Sequence, residues 1–417
     1  MGIIAFTICF TFLIISLVLN RKKNFSPVVL FFALWSFILF LSILKLYNIY
    51  TPSDETYFLI ILMIVFFFIG NILNILFRSK FKRTSKDKTN DLNSDAIIKP
   101  KFKLFYILSF AVIVFNIIDL IIIIKQIMGG TPMWQIRNWS LAPYGTSNPI
   151  LDRRSFIEDA FRSIILVPLA TIVHPIAAYY FFNTKENKQR YKLLVISLMV
   201  LISSSLAGGG GRLGFIYYFG CFILAFLIAN KNKEVSKDKL KKYKKFMILL
   251  CVFGVLFIII YTTIRTGTGN FIKQIYTYFA LPPTLLSIWL PDIKNVEYTY
   301  GMTTFFGLHS YFFRVLDTIG LDFLVPQIYS NAYTNILNAE IFKNVGYGIG
   351  NAFVTPIYYF FVDGGYPFVC SASLIFGYVV SSLYERFERN INVRSFTMYV
   401  LITYGVFLTF VRVQTAI

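Results

Sequence analysis

Ten long apolar runs constrain what this chain can fold into more than any other feature of its sequence. A helix rises about 1.5 Å per residue and must cover about 30 Å of hydrocarbon to cross a membrane. Because lipid offers no partner for an unpaired backbone group, helices are the expected form of these runs. We place the predicted spans at Gly2–Asn20, Pro27–Leu46, Tyr57–Phe77, Leu104–Ile124, Phe161–Phe182, Leu193–Ala207, Leu213–Ala229, Phe246–Ile264, Tyr366–Tyr384 and Ser395–Arg412.

Composition excludes an ordinary soluble protein. Of the 417 residues, 57% are hydrophobic and 14% are charged, whereas a soluble domain has about a quarter charged residues. The first run has neither a basic leader nor a small-residue cleavage site, so we expect it to be a retained helix. The sequence therefore predicts an all-α integral membrane protein with about ten transmembrane helices, a single polytopic domain over residues 1–417.

The basic residues predict the orientation of the chain in the membrane. Five alternate connections hold 27 of the 40 lysines and arginines, as the positive-inside rule requires of cytoplasmic loops. These connections are Arg21–Ser26, Arg78–Lys103, Asn183–Lys192, Lys231–Lys245 and Glu385–Arg394. The net charge of +20 then reflects topology and attraction to anionic lipid, so nucleic acid is not an expected partner. Both termini and the long Arg265–Gly365 segment would face outward.

The Arg265–Gly365 segment is about a hundred residues long, far more than a simple connection needs. It contains aromatic and aliphatic stretches, Tyr276–Leu290 and Thr303–Val325, which are typical of helices that lie on or dip into the outer leaflet. We expect this segment to form an extracytoplasmic cap loop of short helices over a membrane cavity.

A run of four glycines, Gly208–Gly211, precedes Arg212 at the end of the sixth predicted span. That span has 15 residues, about 22 Å of helix, so the glycines would lie below the membrane surface. Glycine lets backbone approach a ligand closely, and N–H groups such as those of Gly210 and Gly211 can cradle a phosphate. The pattern favours a catalytic Arg212; the alternative is a hairpin turn with an arginine that reaches to the surface.

Further arginines are predicted on the same side of the membrane. Arg137, Arg265 and Arg314 offer the rigid guanidinium fork that matches a phosphate, and we expect them to bind a pyrophosphate. Arg153 and Arg154 also lie on this side, where lipid headgroups are the alternative ligand.

Few residues could transfer a proton near neutral pH. His309, five residues before Arg314, is a candidate general base, and Asp363, at the start of the ninth span, is the second. The alternative for Asp363 is to cap that span. We expect His174, inside a span, to be structural. Asp119 lies in the fourth span, where its alternative to proton transfer is to be an intramembrane ion-pair partner.

Other catalytic signatures are absent from the sequence. It has no phosphate loop with Gly-Lys-Ser/Thr, no His-Glu-x-x-His and no Gly-x-Ser-x-Gly. The four cysteines, Cys9, Cys221, Cys251 and Cys370, lie in apolar runs without metal or redox spacing. No metal and no cofactor are therefore expected.

Motifs at three places in the sequence resemble those of the oligosaccharide repeat-unit polymerases, the Wzy-type enzymes of O-antigen and capsule assembly. They are the serine- and glycine-rich turn with arginine at Ser203–Gly214, the Ile136–Asn138 element, and the pair Asn351–Thr355 and Asp363–Gly365. Gly364 stands where the family often has an aromatic residue. The resemblance covers the topology from end to end, while the motifs themselves are loose.

The resemblance implies a GT-C-like, metal-independent glycosyltransferase in the bacterial inner membrane with its active face outside. Its substrate would be an undecaprenyl-pyrophosphate-linked oligosaccharide, polymerised into O-antigen or capsular polysaccharide. Asn351 would bind substrate, and membrane lipid, a chain-length regulator and a flippase would be partners. Aromatic faces at Trp134, Trp139, Tyr276 and Tyr278 would either stack on sugar rings or belong to the core or to the headgroup belt.

Two other classes of function stay open. An O-antigen ligase would join the same donor to a different acceptor and is the nearest enzymatic alternative. A lipid-linked oligosaccharide flippase or other transporter would also place cations in a cavity. A transporter should, however, have pseudo-symmetric halves, and the sequence has no convincing internal repeat.

Overall fold

The computed structural model describes residues 1–20, 25–84, 102–132, 135, 156–184, 186–207, 213–231, 243–245, 247–249, 252, 254, 256, 271–346, 348–351 and 353–412. The chain divides into two compact units. Unit 1 contains residues 1–91, 272–390 and 401–417, and unit 2 contains residues 92–271 and 391–400.

Almost all described secondary structure is helical. In chain order the helices are α1 (Gly2–Leu19), α2 (Pro27–Leu44), α3 (Asp54–Thr84), α4 (Phe102–Met128), α5 (Phe156–Phe161), α6 (Val167–Asn183), α7 (Asn187–Ala207), α8 (Leu213–Lys231), α9 (Phe271–Ile293), α10 (Phe306–Thr318), α11 (Gln327–Ala339), α12 (Thr355–Arg389) and α13 (Val393–Phe407). A π-helical turn, Arg162–Leu166, joins α5 to α6. Short 3₁₀ turns occupy Leu46–Asn48, Asp322–Leu324 and Leu408–Phe410. Strands β1 (Lys343–Asn344) and β2 (Ile349–Gly350) form one antiparallel pair.

Within the described residues, nine helices are long and apolar enough to cross a membrane. They are Gly2–Leu19, Pro27–Leu44, Asp54–Phe77, Phe102–Met128, Arg162–Asn183, Lys188–Ala207, Leu213–Asn230, Thr355–Arg389 and Val393–Phe410. The prediction of an all-α, multi-pass membrane protein is confirmed. The tenth predicted span, Phe246–Ile264, falls largely outside the described residues.

The predicted length of the sixth span was wrong. Helix α7 has 21 residues, which is about 31 Å, because its polar first turns are helical too. Arg190 donates to the Phe181 carbonyl at 2.7 Å, and its guanidinium lies 4.8 Å from the centre of the Tyr243 ring. Lys192 lies 4.3 Å from the centre of the Tyr106 ring. Because α7 is long enough to cross the hydrocarbon core, a short span is no longer a reason to place the following glycines below the membrane surface.

Glycine contacts bring two spans of unit 1 together. Helix α3 packs along α12, where an added Cβ at Gly70 would lie 2.1 Å from the Leu374 carbonyl oxygen. An added Cβ at Gly377 would lie 2.1 Å from the Phe67 carbonyl oxygen. This reciprocal contact is typical of membrane helices, whose association depends on close packing of backbones. Asn74 also donates to the Ser381 hydroxyl across the same interface, at 3.0 Å.

The segment of unit 1 that contains α9, α10, α11 and the β-hairpin contacts one end of the membrane spans. The ammonium group of Met1, just before α1, lies 3.4 Å from the Asp54 carboxylate at the start of α3. Glu55 in the same turn accepts from Lys294, just after α9, at 2.6 Å, and from the Tyr366 hydroxyl in α12. The Tyr50 N–H donates to the Val345 carbonyl beside the β-hairpin at 3.0 Å. The described residues between 272 and 354 are therefore joined, through Lys294 and Val345, to the end of unit 1 at which α1 and α3 begin.

Unit 2 has a buried ion pair in its interior. Helices α4, α6, α7 and α8 pack against one another, and Asp119 of α4 meets Arg162 of the π-helical turn at 2.7 Å. Arg162 also donates to Glu158 at 3.0 and 3.2 Å and to the Phe115 carbonyl at 3.0 Å. The structure thus gives Asp119 an ion-pair partner, as one of its two possible roles requires.

Candidate functional site

A break in helix α12 positions the candidate site. Gly364 and Gly365 leave helical geometry, and Gly365 has a φ of 63°, which residues with a Cβ rarely adopt. An added Cβ at Gly365 would also lie 2.7 Å from the Tyr298 hydroxyl. The break frees two backbone acceptors: the Val362 carbonyl accepts from the Thr299 N–H at 3.1 Å, and the Asp363 carbonyl accepts from the Tyr300 N–H at 2.9 Å.

The Asp363 carboxylate binds the same segment. It is 0% exposed. Its Oδ1 accepts from the Thr299 hydroxyl at 2.5 Å and from the Thr303 N–H at 3.0 Å, and its Oδ2 accepts from the Thr304 N–H at 2.8 Å. These bonds go to residues 299–304, which we call the anchor turn, and not to the helix that follows Asp363, as the capping alternative supposed. Asp363 therefore offers no accessible oxygen to a substrate.

His309 lies in the first turn of α10, immediately after the anchor turn. Its Nε2 is 2.8 Å from the Met302 carbonyl oxygen, which can only accept, so Nε2 carries a proton. The Nδ1 atom is buried and has no hydrogen-bond partner among the described residues. The ring centres of Phe306, Phe313 and Tyr329 lie 5.6, 5.6 and 6.1 Å from that of His309. An imidazole held in this way has an oriented ring and an uncommitted acceptor nitrogen.

Arg314 follows His309 on α10, and both contact Tyr329 of α11. The guanidinium carbon of Arg314 lies 5.6 Å from the centre of the Tyr311 ring. Burial raises the pKa of the Tyr329 hydroxyl, and the charge and hydrogen bond of Arg314 oppose that shift. The structure thus brings together two predicted site residues, His309 and Arg314, around a tyrosine that sequence reasoning did not identify.

Asn351 contacts a different part of unit 1. Its side-chain amide donates to the Glu340 carbonyl at 3.0 Å, just after α11 ends. The Glu340 carboxylate in turn pairs with Arg412 at 2.8 Å. These contacts fasten the end of α11, and none of the described bonds of Asn351 links it to His309.

Two tyrosines proposed as sugar platforms have packing contacts. Tyr276 is buried, donates to the Leu41 carbonyl at 2.8 Å and accepts from the Leu46 N–H at 2.8 Å. The ring of Tyr278 lies 5.4 Å from that of Phe353. A core role therefore accounts for Tyr276. The two tryptophans, Trp134 and Trp139, lie outside the described residues.

Several predicted site residues also fall outside the described part of the chain. They are Arg137, Gly210, Gly211, Arg212 and Arg265, together with Arg153 and Arg154. Their predicted roles stay predictions.

Two serines near the end of α7, the helix that precedes Arg212 in the sequence, make polar contacts inside unit 2. Asn116 of α4 donates to the hydroxyls of Ser203 and Ser204 at 3.3 and 3.0 Å. These serines belong to the Ser203–Gly214 motif. His174 is buried in α6, with its ring centre 5.3 Å from that of Tyr218, and its contacts fit the structural role expected of it.

No protein-family model, curated protein or solved structure matches the chain.

Proposed function

We propose that the protein polymerises undecaprenyl-pyrophosphate-linked oligosaccharide repeat units on the outer face of the bacterial inner membrane, as a GT-C-like, metal-independent glycosyltransferase. An acceptor-sugar hydroxyl attacks the anomeric carbon of the donor, and its oxygen forms the new glycosidic bond as its proton leaves. The bond from that carbon to the pyrophosphate oxygen breaks, and the lipid pyrophosphate departs. The chemistry requires a base for the hydroxyl and a cation for the departing pyrophosphate.

The arrangement of His309 is the observation that carries the proposal. Its Nε2–H is held by the Met302 carbonyl, so Nδ1 is the nitrogen that has a lone pair available for a proton. A backbone acceptor that fixes the tautomer and orientation of the imidazole is a usual accompaniment of a histidine base. Because Nδ1 is enclosed by aromatic rings, the acceptor sugar has to displace part of that enclosure to reach it.

Helix α10 also has the surface expected of a segment that works at the membrane boundary. Apolar side chains of α10 and of the two residues that flank it recur every three or four residues and are between 41% and 73% exposed. They are Phe305, Leu308, Phe312, Val315 and Ile319, and we call them the apolar stripe. An amphipathic helix with one such face lies in the lipid interface, with that face among the acyl chains.

The apolar stripe begins beside a membrane span. Phe305 and Phe368 both lie within 4 Å of the Cβ position at Gly301, and Phe368 belongs to α12 just past the helix break. Lipid contact would then continue from α12 onto α10. Such a placement supports a substrate whose reactive pyrophosphate lies at the depth of the lipid headgroups.

The arginines supply the second requirement. Arg314, next to Tyr329, is proposed to bind the pyrophosphate, as are Arg137 and Arg265. Arg212, beside Gly210 and Gly211, is proposed to stabilise the charge that grows on the leaving pyrophosphate. Asn351, whose side chain holds the end of α11, is proposed to act on the sugar by shaping the Arg265–Gly365 cap.

The alternatives differ in what happens to the donor. A ligase would use the same base and cations but would transfer a finished chain to another acceptor. A flippase or transporter would leave every glycosidic bond intact. An oriented base with an uncommitted nitrogen supports glycosidic bond formation, by a polymerase or by a ligase, over transport of an intact substrate. We keep the polymerase over the ligase because the motifs at Ser203–Gly214, Ile136–Asn138, Asn351–Thr355 and Asp363–Gly365 resemble the polymerases.

A glutamine at position 309 tests the base. His309→Gln keeps an N–H donor for the Met302 carbonyl but has no titratable nitrogen, so the helix should stay folded. We expect turnover of purified enzyme with lipid-linked repeat units to fall about 10²–10⁴-fold while donor binding persists. Normal polymer formation by His309→Gln would remove the residue from the mechanism.

A lysine at position 212 tests the cation. Lysine keeps the charge and loses the guanidinium fork, so Arg212→Lys should be impaired nearly as much as Arg212→Ala. Both variants should reach normal membrane levels and yield single repeats instead of ladders. Ladders of ordinary length and rate from Arg212→Ala would show that this arginine only reaches to the surface.

A further inference from the structure

The buried Asp363 carboxylate is connected to His309 through the anchor turn. Asp363 holds the N–H groups of Thr303 and Thr304, and the neighbouring residue Met302 supplies the carbonyl that orients the His309 ring. Every link in this path is a hydrogen bond of 3.0 Å or less, or a peptide bond. A change at Asp363 therefore reaches the imidazole by way of the backbone of residues 302–304.

Internal bonds make the anchor turn stiff enough to transmit such a change. The Met302 N–H donates to the Thr299 carbonyl at 2.9 Å, and the Phe305 N–H donates to the Gly301 carbonyl at 3.0 Å. The hydroxyls of Thr299 and Thr303 are 2.7 Å apart, so the Thr299 side chain joins the turn to the Asp363 carboxylate. The position of the turn is consequently set from the helix break in α12.

The same contacts disqualify Asp363 as the proton acceptor. Three donors from the protein occupy its two oxygens, and the side chain is fully buried. To accept a proton from a sugar hydroxyl, one oxygen would have to release a backbone N–H that then has no partner. A negative charge on the carboxylate, in contrast, strengthens all three bonds.

We infer that Asp363 is a positioning residue, which orients the His309 imidazole through the anchor turn, and that it is not the base of the reaction. This inference rests on the proposed function. It replaces the catalytic role that the sequence predicted for Asp363 with an indirect one.

The pH dependence of turnover distinguishes the two roles. Asp363→Asn is nearly isosteric but turns an amide N–H₂ toward a backbone donor, which should displace the anchor turn. If Asp363 positions the base, kcat should fall about 10²-fold with KM unchanged, and the midpoint of the acid limb should stay where it is in the wild type. Loss of that limb in Asp363→Asn would make Asp363 the base and overturn the inference.

Variants of Thr299 keep the test valid if Asp363→Asn does not fold. Thr299→Val removes one donor to the carboxylate and leaves its charge, so it should lower kcat in the same way but less. Thr299→Ser keeps the hydroxyl and should restore wild-type turnover. Asp322→Asn, which removes an exposed carboxylate in the 3₁₀ turn after α10, is the matched control and should change nothing. Wild-type kcat in Thr299→Val, or in Asp363→Asn where that variant folds, would overturn the inference.

Hydrogen exchange gives a readout that needs no substrate. In Asp363→Asn, the peptide that covers residues 299–306 should exchange faster than in the wild type, while a peptide from α13 should not change. Unchanged protection of residues 299–306 would refute the anchoring itself. Failure of the wild-type protein to make any polymer would refute the proposed function instead, so the two failures can be told apart.

Discussion

Breaking the buried ion pair between Asp119 and Arg162 should destabilise unit 2 strongly. The side chains of Arg162 and Asp119 are 8% and 3% exposed, and their charged atoms are 2.7 Å apart. Arg162→Met removes the cation and leaves a carboxylate in an apolar interior with its main partner gone. Removal of one partner of a buried pair costs about 3–5 kcal/mol of unfolding free energy, and we expect a loss in that range.

The matched experiment removes both charges. Asp119→Leu combined with Arg162→Met replaces the pair with side chains that pack, which in other proteins is close to neutral. The Glu158 carboxylate, 34% exposed, can turn to solvent in the double variant. We therefore expect the double variant to lie within about 1 kcal/mol of the wild type, and the two substitutions to be coupled by more than about 2 kcal/mol.

Unfolding can be followed through a cysteine of the same unit. Cys221 in α8 is a free, buried thiol, and it should become reactive only when unit 2 opens. With the other three cysteines replaced by alanine, the rate of thiol labelling across a denaturant series reports the stability of unit 2. The reasoning would be refuted if the stability losses of Asp119→Leu and Arg162→Met simply added up in the double variant. It would also be refuted if Arg162→Met were as stable as the wild type.

Two further predictions concern topology and packing. Single cysteines should react with an impermeant thiol reagent in intact cells at Ser53, Gly145 and Asn295 and should not react at Asn90 and Ser236; labelling at Ser236 would overturn the predicted orientation. Gly377→Ala forces a Cβ against the Phe67 carbonyl and should lower the free energy of unfolding by about 1–3 kcal/mol. Gly405→Ala, which has open space around it, is the control and should leave the stability unchanged. Equal melting temperatures of the two variants would contradict the helix contact.

The membrane spans could be predicted because each depends on its own sequence alone. Apolar runs give nearly the observed limits for helices such as α1 and α8. The sixth span was underestimated because Arg190 and Lys192 remain helical, with a backbone carbonyl and aromatic rings as partners for their charges. A window of hydropathy counts such residues as boundaries, although their long side chains allow the helix to continue.

The site was harder to predict because its contacts join distant residues. His309 was identified from its residue type, but Tyr329 follows it by 20 residues on another helix and shares no motif with it. Asp363 is about 60 residues from the backbone donors it binds, so the sequence offered only a base or a local cap as its role. An ion pair was one expected role of Asp119, yet nothing in the sequence identified Arg162, 43 residues away. Pairings of this kind are determined by packing.

The central claim is tested most directly by the purified wild-type protein, reconstituted in liposomes with a lipid-linked repeat unit as the only substrate. The account predicts a ladder of products that differ by one repeat, together with release of lipid pyrophosphate and without added metal or cofactor. Transfer only to an added non-polymer acceptor would identify a ligase. Movement of the intact substrate across the bilayer, with every glycosidic bond retained, would identify a transporter, and either result would contradict the account.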